Sequence, residues 1–238
     1  MNRILEVKNA TKKFAGLTAN EDVTFHVNQG EILGIVGPNG AGKTTLFNAI
    51  SGMFSLTSGQ IIFDGIDITK KKAFEICKMG MGRTFQIPQS LDAMTVFDNI
   101  LLGAFCRYND ILEAQNYADA VLELCNMTKF RNMLAGELNV IQKKRLEIGR
   151  AVATQPKLLL LDETMAGLTG VERKEAIDLI LKLNKTGITI MTIEHVMEVV
   201  MTVSNRVVVL NTGKLLFEGT PVEVVCNEEV ISVYLGGS

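Results

Sequence analysis

One stretch of the sequence decides the fold: Gly37-Pro38-Asn39-Gly40-Ala41-Gly42-Lys43-Thr44. It matches the phosphate-loop pattern G-x-x-x-x-G-K-[ST], and it lies between an apolar run at 32–36 and an amphipathic segment at 44–51, a predicted buried strand and a predicted helix. Glycines let backbone N–H groups curl around phosphates, and the N-terminus of the following helix adds positive potential. The motif and Thr45 after it are therefore predicted to bind phosphate, with Lys43 on the β and γ oxygens and Thr44 on Mg²⁺. A glycine-rich turn without a ligand is the alternative.

Polar side chains also follow two further apolar runs. The run 158–161 ends in Asp162 and Glu163, and the run 188–193 is followed within two residues by His195. Since the carboxyl ends of parallel strands line the ligand crevice of an open α/β sheet, these groups are expected near the phosphate loop. Asp162 is suited to the magnesium shell, Glu163 to orienting or deprotonating an attacking water, and His195 to contacting a γ-phosphate. A solvated strand end and a polar cap are the alternatives.

Gln86 closes a fourth strand-like segment, Gly82-Arg83-Thr84-Phe85-Gln86. Its amide can coordinate magnesium or the attacking water. Gln is also common in turns, so this residue depends on the other three strand ends for its interpretation.

The composition is that of a folded chain without an obvious nucleic-acid partner. Hydrophobic residues make up 47% of the 238 residues and charged residues 21%, and the net charge is −2. The longest block of like charge is Lys70-Lys71-Lys72. Balanced charge of this kind argues against nucleic-acid binding.

The same sequence favours a cytoplasmic location, peripheral to any membrane. Charge interrupts residues 1–8 too early for a signal peptide, and the apolar runs are far shorter than the ~20 residues of a membrane helix. The cysteines show no paired C-x-x-C spacing, which favours reduced thiols over disulfides or zinc. They are Cys77, Cys106, Cys125 and Cys226.

Alternating apolar runs and helical patterns predict an α/β fold with a largely parallel sheet. Residues 4–14 and 23–27 alternate apolar with polar and predict an antiparallel flank. Residues 87–155 lose the strand signal and predict a helical subdomain inserted into the core formed by 1–86 and 156–238.

In family order, these motifs resemble the ATP-binding-cassette ATPases along nearly the whole chain, and most closely the ATP-binding subunits of branched-chain amino acid uptake systems. The phosphate loop stands at Walker A, Gln86 at the Q-loop, 158–163 at Walker B and His195 at the switch histidine. The subfamily is suggested by Arg83-Thr84-Phe85-Gln86, Thr95-Val96-Phe97-Asp98-Asn99-Ile100, Lys144-Arg145-Leu146-Glu147-Ile148-Gly149-Arg150-Ala151 and Tyr234-Leu235-Gly236.

The resemblance implies a single ABC ATPase domain with a P-loop NTPase, RecA-like core. It implies that a dimer binds and hydrolyses Mg-ATP to power transport through integral membrane permease subunits, supplied by a solute-binding protein. It places Phe14 where an aromatic ring stacks on adenine; a strand residue buried in the core is the alternative. The surface 87–105 is expected to grip a short helix of the permease.

In the family, a signature motif of the form L-S-G-G-Q lies at a fixed distance before Walker B. The segment at that distance here is Leu138-Asn139-Val140-Ile141-Gln142, which departs from the family form. Asn139 is expected to donate from its amide to ATP bound by the opposite subunit, whereas Ile141 stands where glycine permits close approach. A heterodimer with an intact signature on the second ATPase is therefore favoured over a homodimer. Thr164 and Thr169 also depart, the latter in the D-loop 166–169.

Other functions fit parts of the sequence. Asn184-Lys185-Thr186-Gly187 is a near miss of the guanine motif N-K-x-D, but a helix stop and turn explain it. Another ABC system, for amide or urea uptake or lipopolysaccharide export, and a weakly hydrolysing ATP-binding scaffold are the alternatives.

Overall fold

Two β-sheets form the frame of the fold, in a computed structural model that describes residues 2–165 and 167–235. In chain order the strands are β1 (Arg3–Phe14), β2 (Leu17–Asn28), β3 (Ile32–Val36), β4 (Ser58–Phe63), β5 (Ile66–Asp67), β6 (Met81–Arg83), β7 (Leu158–Asp162), β8 (Thr189–Ile193), β9 (Arg206–Asn211) and β10 (Lys214–Gly219). The larger sheet has the order β10-β9-β3-β8-β7-β6. Its strands pair in parallel from β9 to β6, and β10 closes a hairpin on β9. The predicted largely parallel sheet is therefore present.

The smaller sheet is antiparallel and has the order β2-β1-β4-β5. Its long strands alternate as the sequence predicts: Val23, Phe25 and Val27 are buried, whereas Thr24 is exposed. Alternation of period two means that one face of this sheet packs on the core while the other meets solvent.

The helices connect and flank the strands. They are α1 (Lys43–Ile50), α2 (Ala73–Met79), α3 (Val96–Ala104), α4 (Ile111–Leu124), α5 (Val140–Ala153), α6 (Gly170–Lys185), α7 (Met197–Val203), α8 (Pro221–Cys226) and α9 (Glu228–Leu235). Short 3₁₀ segments at Thr128–Phe130 and Ala135–Glu137 connect α4 to α5. Within the described residues, none of these helices combines the length and the apolar character needed to cross a membrane.

Strand β7 shows how the core is divided. Leu158 and Leu160 pack in the cluster that contains α1 and the antiparallel sheet, while Leu159 and Leu161 pack in the cluster formed with the helices on the opposite face. Since successive side chains of a strand point to opposite faces, a strand buried on both sides must be apolar throughout. The next residue, Asp162, therefore lies on the α1 side, at the carboxyl end of the sheet.

The segment 87–155 contains α3, α4 and α5, which pack mainly on one another. Among its described residues, β-structure is limited to an isolated bridge between Thr95 and Leu134. The mixed architecture agrees with the α/β fold class predicted from the sequence. The exact subdomain boundaries remain a prediction.

Candidate active site

The phosphate-loop motif forms a tight turn between β3 and α1. Gly42 precedes α1 with a φ of 92°, and a Cβ at this position would lie 2.3 Å from the carbonyl oxygen of Ala19. A Cβ on Gly37 would lie 2.1 Å from the carbonyl oxygen of Leu210. Both positions therefore require glycine, for the left-handed backbone at Gly42 and for the close approach of neighbouring chain at both. The turn leaves the start of α1 directed at a cleft.

Lys43 lies under this turn and is 5% exposed. Its Nζ donates to the carbonyl oxygens of Gly37, at 2.8 Å, and Pro38, at 2.9 Å. Burial lowers the pKa of Lys43, and the carboxylates of Glu163 and Asp162 oppose that shift. The carbonyl contacts hold the ammonium group in place beside the cleft, where a phosphate oxygen would be a stronger acceptor.

The cleft has a volume of about 330 Å³. Three parts of the chain meet there: the phosphate loop with α1, the first residues of β2, and the residues that follow β7 and β8. Its lining residues are Leu17, Thr18, Ala19, Asn39, Gly40, Ala41, Gly42, Lys43, Thr44, Thr45, Glu163 and His195. A larger depression of about 670 Å³ lies around Gln60 and Lys71, and its lining contains none of the predicted site residues.

Asp162 ends β7 and is 1% exposed. Its Oδ2 accepts a hydrogen bond from Arg83 at 3.2 Å, whereas its Oδ1 is buried without a hydrogen-bond partner among the described residues. Burial raises the pKa of Asp162, and Arg83 opposes the shift. A buried carboxylate oxygen without a partner is costly unless a ligand satisfies it, so the donor set here fits a hard cation such as Mg²⁺.

Glu163 joins the two other predicted catalytic side chains. Its Oε1 lies 2.5 Å from Nε2 of His195, and its Oε2 accepts from Nε2 of Gln86 at 2.8 Å. Its backbone N–H donates to the carbonyl oxygen of Ile193 at the end of β8, at 3.0 Å, and its φ is +51°. Uncommon backbone conformations of this kind occur at functional sites, where the surroundings hold them. The structure therefore brings Gln86, Glu163 and His195 together at one edge of the sheet.

Glu147 of α5 holds the loop that carries Gln86, a contact that sequence reasoning missed. Its Oε1 accepts from the backbone N–H groups of Phe85, at 3.1 Å, and Gln89, at 3.4 Å, one on each side of Gln86. Arg150 of the same helix donates to the carbonyl oxygen of Gln89. Burial raises the pKa of Glu147 to about 7.

Glu194 is a second buried carboxyl that the sequence analysis did not single out. It is 2% exposed and accepts from the backbone N–H of Met165, at 3.1 Å, and from Oγ1 of Thr164, at 3.2 Å. Burial raises the pKa of Glu194 to about 7. The residue before His195 therefore ties the end of β8 to the chain leaving β7.

Phe14 is not among the side chains that line the cleft. Its ring packs edge-on against Phe54, with centroids 5.4 Å apart, and Lys12 Nζ lies 4.8 Å from its centroid. The side chain is 43% exposed, so the alternative of a buried strand residue does not describe it either. Leu17, which pairs with Phe14 across the β1–β2 hairpin, does line the cleft. A role for Phe14 in stacking on adenine stays a prediction.

Asn139 is the N-cap of α5. Its side chain accepts from the backbone N–H of Gln142 at 2.9 Å, and Oε1 of Gln142 accepts from the backbone N–H of Asn139 at 3.0 Å. Asn139 does not line the cleft of its own chain, as expected for a residue predicted to serve a second subunit. Ile141 packs against the helical core cluster.

Two residues of the motifs quoted above are not among those that the structure describes. Ala166 of the D-loop and Gly236 of the C-terminal motif fall outside them. Thr169 begins α6 as a capping box with Glu172, which accepts from the Thr169 N–H at 2.9 Å. The cysteines are free thiols, as the sequence indicates.

Comparison with known families gives two matches. The model described as ABC transporter matches residues 20–166, and the model described as branched-chain amino acid ATP-binding cassette transporter matches residues 214–238. Among curated relatives, the chain is similar to the high-affinity branched-chain amino acid transport ATP-binding protein BraF of Pseudomonas aeruginosa, 38% identical over 98% of both chains. It is 36% identical, again over 98% of both chains, to the corresponding protein LivG of Escherichia coli K12.

The chain is also similar to solved structures of ATP-binding cassettes. The ADP conformation of an ATP-binding cassette of an ABC transporter superposes with a TM-score of 0.89 at 33% identity, covering 99% of this chain and all of the other. A dimeric, post-hydrolysis ATP-binding cassette bound to ADP and Pi superposes with a TM-score of 0.83 at 26% identity, covering 91% of this chain and 98% of the other.

Proposed function

The chain belongs to the ABC transporter family, and on that premise we propose that it is the ATP-hydrolysing subunit of an importer for branched-chain or related amino acids. Both curated relatives described above are ATP-binding proteins of branched-chain amino acid transport and align over 98% of this chain. The observation that carries the hydrolytic assignment is the convergence of Lys43, Glu163, His195 and Gln86 at the carboxyl edge of one sheet. The predicted family, α/β fold class and ATPase activity are in this respect confirmed.

The phosphate loop binds the triphosphate. Residues 37–45 supply backbone N–H groups at the start of α1, where the helix dipole favours negative charge. Lys43 exchanges its two carbonyl acceptors for β- and γ-phosphate oxygens, which form stronger, charge-assisted hydrogen bonds. Phe14 supports adenine after a movement of its ring away from Phe54.

Magnesium is held by Thr44, Asp162 and Gln86. The support for this is the donor set: a hydroxyl at the first turn of α1, a carboxylate with one buried oxygen left over, and an amide oxygen. These are the hard oxygen ligands that Mg²⁺ prefers. When bound, the ion neutralises charge that develops on the β- and γ-phosphate oxygens.

Glu163 orients and deprotonates the attacking water. Both oxygens of Glu163 are engaged, one by His195 and one by Gln86. If the amide oxygen of Gln86 turned to a bound metal ion, Nε2 of Gln86 would move away from Oε2 of Glu163 and leave that oxygen free to accept from water. His195 reaches the γ-phosphate from the same edge of the sheet, so nucleotide binding and activation of the general base are coupled.

The working assembly contains a second ABC ATPase subunit. Asn139 precedes α5 with its side-chain Oδ1 accepting from the backbone N–H of Gln142, so its Nδ2 is the group that donates to ATP on the opposite subunit. We favour a heterodimer whose second subunit presents an intact signature motif to Lys43 and Glu163 of this chain; a homodimer is the alternative. The test is to substitute Glu163 here and then the matching glutamate of the second subunit: unequal loss of ATP turnover fits the asymmetric heterodimer, whereas equal loss together with brisk hydrolysis by this chain as a homodimer contradicts it.

The permease is gripped by the surface 87–105. Several of its apolar side chains are exposed, including Ile87 at 73% and Leu102 and Phe105 at 43% each. The same surface borders the loop that carries Gln86, so closure on ATP can rotate the helical subdomain against the permease. The chain then works at the cytoplasmic face of the membrane, with a solute-binding protein on the other side. Cysteine crosslinks from 87–105 to a permease loop are expected to change with nucleotide; crosslinks formed only elsewhere contradict this surface.

The decisive experiment reconstitutes the chain with the permease, ATPase and binding-protein products of neighbouring genes. ATP turnover is expected to rise when the binding protein carries leucine, isoleucine or valine. Stimulation by an amide or urea, or a lipid cargo, would assign another ABC system. Nucleotide binding without any phosphate release would instead make the chain a scaffold.

A further inference from the structure

Arg83 joins three elements beneath the cleft. Its Nε donates to the carbonyl oxygen of Thr84 at 3.3 Å, one terminal nitrogen donates to Oγ of Ser51 at 2.6 Å, and the other donates to Oδ2 of Asp162 at 3.2 Å. The side chain is 8% exposed. All three guanidinium nitrogens of a nearly buried arginine are thus hydrogen-bonded, which offsets the cost of removing its charge from water.

The register of the sheet explains why Arg83 reaches Asp162. Arg83 pairs with Leu160 on the neighbouring parallel strand, so its side chain leaves the sheet on the same face as Leu160. Asp162 lies two residues further along β7 and shares that face. The two charged side chains are therefore diagonal neighbours, facing α1.

The second arm of Arg83 meets the end of α1. Ser51 follows the last residue of this helix and donates to the carbonyl oxygen of Phe47 at 2.9 Å, while it accepts from Arg83. Thr44 lies in the first turn of the same helix. Because a two-turn helix is a short rigid rod of about 10 Å, fixing its end relative to β7 also fixes its start relative to β7.

These contacts place two of the three proposed protein oxygens of the magnesium shell, those of Asp162 and Thr44, under the control of one side chain. Asp162 has Oδ2 committed to Arg83, which orients the carboxylate and leaves Oδ1 buried and without a hydrogen-bond partner among the described residues. Ser51 connects the same guanidinium to the helix that carries Thr44. Groups that orient a metal ligand in this way tune metal affinity without touching the ion.

We propose that Arg83 is a positioning residue for magnesium: it presents Oδ1 of Asp162 to the ion and sets the separation between Asp162 and the hydroxyl of Thr44. This inference rests on the proposed function, since it presupposes Mg-nucleotide in the cleft. A buried ion pair that only stabilises the fold would leave the metal affinity of the folded protein unchanged.

The test compares two affinities of the full chain. One is the affinity for Mn²⁺, measured by electron paramagnetic resonance in the presence of a non-hydrolysable ATP analogue. The other is the affinity for a fluorescent ATP analogue in excess chelator, which depends on the phosphate loop and Lys43. The first variant, Arg83→Met, removes all three donor nitrogens and keeps a long unbranched side chain. The second, Arg83→Lys, has a single ammonium group that reaches Ser51 or Asp162 but not both.

Arg206→Met is the matched control. Arg206 is 18% exposed and pairs with Glu31 at 2.6 Å and with Glu218, away from the cleft. Its loss removes a partly buried ion pair of comparable kind. Mn²⁺ affinity in Arg206→Met is expected to equal that of the wild type. A loss of Mn²⁺ affinity in this control would show that removing a partly buried arginine weakens metal binding through general destabilisation.

Arg83→Met is expected to lower Mn²⁺ affinity by about tenfold or more, with Arg83→Lys between it and the wild type, while metal-free nucleotide affinity stays within about twofold. Unchanged Mn²⁺ affinity in folded Arg83→Met overturns the proposal, as does an equal loss of metal-free nucleotide affinity. If Arg83→Met does not fold, wild-type Mn²⁺ affinity in Arg83→Lys overturns it. Failure of the proposed function would appear differently, as a wild-type chain that binds no nucleotide.

Discussion

Glu147 is expected to make the folded chain less stable as the pH rises, and Glu147→Gln to remove that dependence. The carboxyl is 6% exposed, and burial raises its pKa to about 7 from an ordinary value of 4.5. Its contacts to Phe85 and Gln89 both use the single acceptor Oε1. A Gln amide oxygen keeps that acceptor at the same position, so the variant resembles the protonated carboxyl.

The sign and size follow from proton binding. The folded chain retains the Glu147 proton up to about pH 7, whereas the unfolded chain releases it near 4.5, so the folded state binds more protons within this window. The free energy of unfolding therefore falls as the pH rises through the window and levels off above it. The difference between the folded and unfolded pKa values of Glu147 corresponds to a loss of about 3 kcal/mol in the free energy of unfolding, since one pKa unit is about 1.4 kcal/mol.

Urea denaturation of the wild type and Glu147→Gln at about pH 5 and about pH 8 measures this effect. Relative to the wild type, the variant is expected to gain roughly 2–3 kcal/mol in free energy of unfolding between the two pH values, because most of the window lies between them. Groups common to both chains cancel in the comparison, including Glu194, whose pKa burial also raises to about 7. Glu147→Ala is the control: it loses the acceptor for two backbone N–H groups and is expected to be less stable than Glu147→Gln at both pH values. A difference between wild type and Glu147→Gln that does not change with pH would refute the reasoning.

Three further substitutions probe the cleft. Glu163→Gln is expected to leave ATP binding intact and to lower turnover by about 10²–10⁴-fold, because the amide keeps the shape but cannot accept the proton of water; phosphate release at the wild-type rate contradicts this. Lys43→Ala is expected to weaken nucleotide binding itself, seen by titration with a fluorescent ATP analogue, whereas an unchanged affinity would remove Lys43 from the phosphate site. Gly42→Ala is expected to destabilise the chain by about 1–3 kcal/mol and to weaken nucleotide binding, because its Cβ would lie 2.3 Å from the Ala19 carbonyl oxygen at a φ of 92°. Gly170→Ala is its control, since a Cβ there meets nothing within 4 Å; equal effects of the two alanines on urea denaturation would show that the turn tolerates a side chain.

The sequence predicts the parts of the site that local pattern encodes. Period-two and continuous apolar runs locate β2, β3, β7 and β8, and the residues that follow a parallel strand must emerge at the carboxyl edge of its sheet. Placement of Glu163 and His195 in one cleft with the phosphate loop follows from these rules alone. The tight turn at Gly42 follows as well, because the motif itself contains the glycine that the turn requires.

The charged residues behind the site could not be predicted in this way. Glu147 and Arg150 lie on a helix that also carries other charged side chains, so they look like members of a solvated face. Burial of Arg83, Glu147 and Glu194 results from contacts between segments far apart in sequence, such as Arg83 with Asp162. The one available signal was position: Arg83 and Glu194 each lie within three residues of a predicted site residue, where polar groups orient their neighbours.

Ile141 shows how the structure changes the argument about the signature motif. The sequence suggested that its β-branched side chain occupies a position where glycine allows close approach to a phosphate. Instead the side chain lines a crevice with Thr164 and Leu168 and packs on the core, and its backbone belongs to α5. Asn139 and Val140 at the start of α5 are instead both exposed, and so are accessible to the opposite subunit that we propose. Since Oδ1 of Asn139 is held by the N–H of Gln142, we propose that this signature differs from the family form mainly by offering an asparagine N–H donor where the family has a serine hydroxyl.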